Sequence, residues 1–161
     1  MIRRLAVHKL REWRYSEDRK PLIIRGVRQV GKTTLVKEFA KEFDTFLHLN
    51  LERSKDSELF EQTDDVGQLL QSIYFHKKQE QKDGSVLLFI DEIQNSKKAV
   101  AMLRYFYEEA PEIHVIVAGS LLETVMDVRK ISFPVGRVEF MSLRPCSFLE
   151  FLGGLGEDFD K

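Results

Sequence analysis

The stretch "GVRQVGKTT", residues 26–34, constrains this chain more than any other. It follows a short apolar run, Leu22 to Ile24, that Pro21 opens. Behind it, Leu35, Val36, Phe39, Ala40 and Phe43 recur at the spacing of one helix face. Gly26, Gly31, Lys32 and Thr33 fit G-x-x-x-x-G-K-[ST] between a strand and a helix, the setting that a phosphate-binding loop requires. A chance match anywhere in roughly 150 windows has a probability under about 1%, taking Gly at ~7% of residues and usual Lys, Ser and Thr frequencies. Glycines let backbone N–H groups converge on phosphate oxygens without a Cβ in the way. The segment expected to cradle a nucleotide is therefore Gly26, Val27, Arg28, Gln29, Val30, Gly31, Lys32, Thr33 and Thr34. Lys32 would reach the β- and γ-phosphates, and the Thr33 hydroxyl would ligate Mg²⁺.

A second stretch raises a cost that the first one answers. In "SVLLFIDEIQNS", residues 85–96, the run Val86 to Ile90 suits a strand buried on both faces, yet it ends in Asp91 and Glu92. Adjacent acids at the edge of an apolar core cost several kcal/mol unless cations or hydrogen-bond donors meet them. Phosphate-loop enzymes hold Mg²⁺ between the loop Ser or Thr and an acid at the end of such a strand. Asp91 is the expected metal-side acid, with Mg²⁺ and ATP as cofactors. An acid directly after it can take a proton from the attacking water, so Glu92 is the expected general base. The simpler reading makes the two acids a helix cap and a first-turn acid.

The remaining pattern alternates strand and helix. Ile2, Leu5, Ala6, Leu10 and Trp13 mark an amphipathic N-terminal helix. "TFLHLNL" (45–51) alternates as a strand, residues 55–82 look helical in one or two pieces, and Val100, Leu103, Phe106 and Tyr107 give another helix. "HVIVAG" (114–119) and "VEFMSL" (138–143) complete five strands. Strands alternating with helices predict an α/β fold, a parallel sheet covered on both faces. The 161 residues suffice for one domain with a substantial core.

Bulk properties exclude little but point one way. A net charge of −1 gives no general reason to expect nucleic acid or an anionic membrane. Cys146 is the only cysteine, no secretory h-region follows Arg3 and Arg4, and no apolar run approaches a membrane span. The expected location is cytoplasmic.

"PLIIRGVRQVGKTTL", "LLFIDEIQ", "VIVAGSLLE" and "FPVGRVEFMSLRPCSFLEF" together resemble the prokaryotic AAA-type P-loop ATPases, often joined to a C-terminal domain of poorly defined, nuclease-like character. The resemblance runs over residues 2–152. It implies a three-layer P-loop NTPase fold with a five-stranded parallel sheet in the order 5-1-4-3-2. Residues 1–152 would form the ATPase domain, with helix and link over 1–20 and the core over 21–152. Residues 153–161 would begin a linker to a C-terminal domain beyond this chain. No AAA-type helical lid is recognisable. The module would act as a nucleotide-driven switch, through self-association or contact with that C-terminal domain.

Other candidates carry two readings each. The resemblance implies that Ser120, at the end of the fourth strand, is a polar sensor of the γ-phosphate or the water, while Ser120 and Glu123 also form a capping box. Arg137 reads as an arginine finger to a neighbour's nucleotide, a γ-phosphate contact in its own subunit, or a structural ion pair. Arg28 reads as a phosphate or interface contact, Gln94 as a water-orienting or capping residue. Asn50 and Glu52 face the same crevice if the sheet is parallel. Adenine is expected near Leu5, Leu10 or Trp13, although Trp13 also suits helix packing. The four histidines show no metal-ligand spacing. "DDVG" (64–67) satisfies a GTPase D-x-x-G without any N-K-x-D elsewhere, so ATP is expected over GTP. Two other function classes stay open: a non-hydrolysing ATP-dependent binding module, with a DNA-associated scaffold as a variant that the charge does not favour, and a small-molecule kinase.

Overall fold

The computed structural model describes residues 4–26, 31–119, 133–134 and 136–143. In chain order these form α1 (Arg4–Arg14), β1 (Leu22–Arg25), α2 (Lys32–Ala40), β2 (Thr45–Asn50), α3 (Ser54–Glu61), α4 (Val66–His76), β3 (Val86–Asp91), a 3-10 turn (Ile93–Asn95), α5 (Lys97–Glu109), β4 (Ile113–Ala118) and β5 (Glu139–Ser142). All strand pairings are parallel, and the sheet order is β2-β3-β4-β1-β5, which is the expected 5-1-4-3-2 read from the other edge.

Burial follows position in the sheet. β3 is flanked on both sides and buried from Val86 to Ile90, which is why its sequence is apolar without alternation. Leu88 and Ile90 turn toward a core with Leu59, Phe60, Leu69, Ile73, Val100, Leu103 and Phe106 from α3, α4 and α5. Leu87 and Phe89 turn toward a second core with Ala6, Leu10 and Trp13 of α1 and Leu35, Val36 and Phe39 of α2. These are the three layers. β2 lies at an edge and alternates buried with half-buried, so its sequence alternates too.

The helical stretch expected over 55–82 breaks in two and stops at His76. Thr63 Oγ1 accepts from Asp65 N at 3.0 Å, and Asp65 caps α4 by accepting from Gln68 N at 2.9 Å. Short polar side chains that bond the nearby backbone end one helix and start the next. "DDVG" is thus a helix cap. Among the described residues no helix is long and apolar enough to cross a membrane. Residues 144–161, with the expected linker, lie outside the described residues.

Candidate functional site

The C-terminal ends of the strands gather Lys32, Thr33, Asn50, Asp91 and Glu92. Gly31 stands just before α2 with φ of 85°. A Cβ there would meet nothing within 4 Å, so glycine answers to backbone conformation and not to space. Gly31 offers no side-chain cap and no acid occupies the first turn of α2, so neither offsets the positive helix end. Lys32 is buried, and its Nζ donates to the Gly26 carbonyl at 2.7 Å. An ammonium lies folded across the loop's own backbone. Val27, Arg28, Gln29 and Val30 lie outside the described residues, as does Ser120.

β3 lies two strand spacings from β1, about 10 Å, with β4 between them. Thr33, in the first turn of α2, spans that gap. Its Oγ1 donates to Asp91 Oδ2 at 2.9 Å. Asp91 Oδ1 accepts from Glu92 N at 2.9 Å, and the Asp91 carbonyl accepts from Leu51 N at 3.0 Å. Both carboxylate oxygens are therefore held.

Glu92 has φ of 53° and ψ of 48°, in the left-handed region. Such a conformation costs a non-glycine residue about 1–3 kcal/mol and persists only where neighbours enforce it. Here the Glu92 amide is tied to Asp91, and its carbonyl accepts from Asn95 N at 3.2 Å. Gln94 is buried, with Nε2 3.4 Å from Glu92 Oε1. Glu92 is therefore no ordinary first-turn acid. The backbone turns sharply at this residue and redirects the chain into the 3-10 turn.

A family model described as an AAA domain matches residues 18–152. The chain belongs to that family. It is accordingly a nucleotide-binding, ATPase-like module, and its sheet has the strand order expected of one. Among curated proteins none matches the chain.

The AAA domain does not bring all the candidates together. Asn50 is the register partner of Asp91, as expected of the crevice, but its Oδ1 accepts from Glu52 N at 3.0 Å in a local turn. Arg137 precedes β5 and so lies at the opposite end of the sheet from Lys32. Its Nε donates to Glu108 Oε2 at 3.0 Å, which holds the Glu108 carboxyl below the usual range. The structural ion pair is present, and a contact with the nucleotide of its own subunit does not fit this placement.

The adenine expectation needs correction at two of three residues. Leu10 and Trp13 are spent on the core beneath the sheet. Trp13 Nε1 donates to the Lys20 carbonyl at 2.7 Å, and its ring meets His114 edge-on at the N-terminal end of β4. Leu5, two turns earlier and partly exposed, keeps a free surface.

Two features at the site's margin escape sequence reading. Asp56 is 4% exposed and accepts from Asn50 N at 2.8 Å and from His76 Nε2 at 2.7 Å. In sequence it is only a first-turn acid of α3. His48 stacks on Phe89 with ring centroids 5.0 Å apart, and burial lowers its pKa. Its Nε2 has no hydrogen-bond partner among the described residues. A lone histidine in an alternating strand gives no hint of either fact.

Proposed function

We propose that this AAA domain binds ATP with Mg²⁺ and hydrolyses it, Lys32 and the loop amides holding the phosphates. The observation that carries this reading is the 2.9 Å contact between Thr33 Oγ1 and Asp91 Oδ2. Adjacent oxygens of an octahedral Mg²⁺ shell with bonds of about 2.1 Å lie about 3 Å apart, so this oxygen pair fits the ion. Thr33 and Asp91 would hold the metal, which when bound neutralises charge on the phosphates as the terminal one departs.

The chain's own groups do the rest. Lys32 exchanges the Gly26 carbonyl for phosphate oxygens, trading a neutral acceptor for charge-assisted bonds. Glu92, the residue directly after Asp91, would orient a water and take its proton as the water attacks the γ-phosphate. ATP is favoured over GTP, since no guanine-reading motif is present in the sequence. The cycle would switch contacts with a neighbouring subunit or with a C-terminal domain, in the cytoplasm.

Glu92→Gln tests the hydrolytic step. The amide keeps the size and hydrogen bonds of the carboxylate but accepts no proton. In the full-length protein, ATP affinity should stay within a few-fold while turnover falls by the ~10²–10⁴ usual for a lost general base. Equal turnover in the two proteins would reduce this domain to an ATP-dependent binding module. A phosphorylated acceptor formed in place of free phosphate would make it a kinase.

A further inference from the structure

We propose that Asp56, anchored by His76, is a positioning residue that fixes the sharp turn at Glu92 through the end of β2. The proposal rests on the assignment of Glu92 to water activation and adds the device that holds it. β2 is an edge strand, so alternate N–H groups face away from β3. Asn50 N is such a group, at the last residue of the strand, and Asp56 Oδ2 takes it at 2.8 Å. Asn50 is held at every backbone and side-chain acceptor as well: its carbonyl accepts from Arg53 N at 3.0 Å and its Oδ1 from Glu52 N at 3.0 Å.

The next residue carries that order across to β3. Leu51 N donates to the Asp91 carbonyl at 3.0 Å, and that carbonyl belongs to the peptide that leads into Glu92. A left-handed glutamate relaxes toward ordinary angles unless the peptide before it is held. Leu51 holds it, and Asp56 holds the strand end that presents Leu51. Asp56 stands in the first turn of α3, yet its two carboxylate oxygens are taken by Asn50 N and His76 Nε2. It is turned inward. Burial would raise the Asp56 pKa, but the Asn50 amide and His76 more than offset this and leave it below the usual carboxylate range. His76 approaches from the last turn of α4, so the clasp joins three elements at one carboxylate.

Asp56→Ala in the full-length protein tests the claim, with Glu92→Gln and the double variant beside it. Amide exchange at Leu51 and Glu92 should quicken about tenfold or more. Turnover per folded molecule should fall about tenfold with ATP affinity within threefold, and Asp56→Asn, which keeps an acceptor for Asn50 N, should restore most of it. The double variant should turn over no more slowly than Glu92→Gln alone, because Asp56 acts through Glu92. Unchanged exchange, or losses that multiply in the double variant, would overturn the proposal. So would unchanged turnover where Glu92→Gln is impaired. If Asp56→Ala does not fold, His76→Ala replaces it, with a two- to fivefold loss of turnover expected and none overturning the claim. Should Glu92→Gln itself turn over like wild type, the water-activating assignment fails separately, and amide exchange alone decides whether Asp56 fixes the turn.

Discussion

At the N-terminal ends of the strands, Arg14 lies 4.0 Å over the Phe43 ring and donates to the Glu42 carbonyl at 2.9 Å. Arg19 stacks toward Trp13 and donates to the Pro111 carbonyl, while Asp44 accepts from Ser85 N at 2.8 Å. At the C-terminal ends, Lys32 folds onto its own loop, Asp91 binds a hydroxyl across the sheet, and Glu92 sits at a positive φ. Both ends hold charged groups beside the core. Below, Arg14, Arg19 and Asp44 meet rings, carbonyls and a neighbouring amide, and Arg11 pairs with the Glu42 carboxylate. Above, Lys32 meets a carbonyl and Asp91 a hydroxyl, both neutral groups that a charged ligand could exchange, beside a residue in the left-handed region.

The other left-handed non-glycine residue sharpens this contrast. Lys78 follows α4, and the Gln79 amide closes that helix end on the Tyr74 carbonyl at 3.0 Å. A left-handed residue there is a usual helix ending. Glu92 follows a strand and precedes a 3-10 turn, where no such habit explains it.

Breaking the upper end should cost function and little stability. Lys32→Ala removes the ammonium expected to meet two phosphates. Bonds to charged groups contribute about 1.5–3 kcal/mol each, so calorimetry should show ATP affinity falling a hundredfold or more. Unaltered affinity would mean that the two ends do not differ in the way proposed. Asp91→Asn keeps an oxygen for Thr33 but loses the charge. Titrations with and without Mg²⁺ should show about a tenfold loss confined to the metal-containing series. An equal loss in both would mark Asp91 as structural.

Breaking the lower end should do the reverse. Trp13→Phe deletes the Nε1 bond to Lys20 and part of a buried ring, worth about 1–2 kcal/mol together. Denaturant unfolding should register that loss while ATP affinity stays within twofold. A matching fall in affinity would tie this end to the nucleotide after all.

The smallest effect concerns pH. Burial, with Arg19 nearby, lowers the His114 pKa to about 4. The unfolded chain therefore binds a proton at its ordinary pKa near 6.5, well before the native state does. Stability from this group is complete above pH ~6.5 and drains away as pH falls toward 4, by about 1–3 kcal/mol. His114→Gln should flatten that part of the thermal stability profile and leave nucleotide affinity alone. An unchanged slope would place the acid sensitivity elsewhere.

Much of this organisation is legible in the chain. The loop, its helix and the acid-terminated strand are each local, because glycine placement, helical spacing and an unbroken apolar run express their causes within a dozen residues. The alternation of elements likewise points to a parallel sheet. Harder to see is what a polar residue does once the chain closes on itself. Asp56 and Asp65 are both acids at helix starts, yet Asp65 caps its own helix and Asp56 turns inward to Asn50 and His76. Arg137 is a basic residue near a strand, and only its placement assigns it to Glu108.

By itself, then, the sequence determined the alternation of strands and helices and marked the loop that can be expected to bind phosphate, since those depend on neighbours in the chain. Tertiary structure decided which of them meet. Thr33 reaches Asp91 because β4 lies between β1 and β3, an order set by how two helical layers share the burial of one sheet. The residue-by-residue pattern fixes each face of a strand but not its neighbours. Pairings between distant segments, such as Asn50 with Asp91, arise from the summed burial of both faces, and no single stretch records that sum.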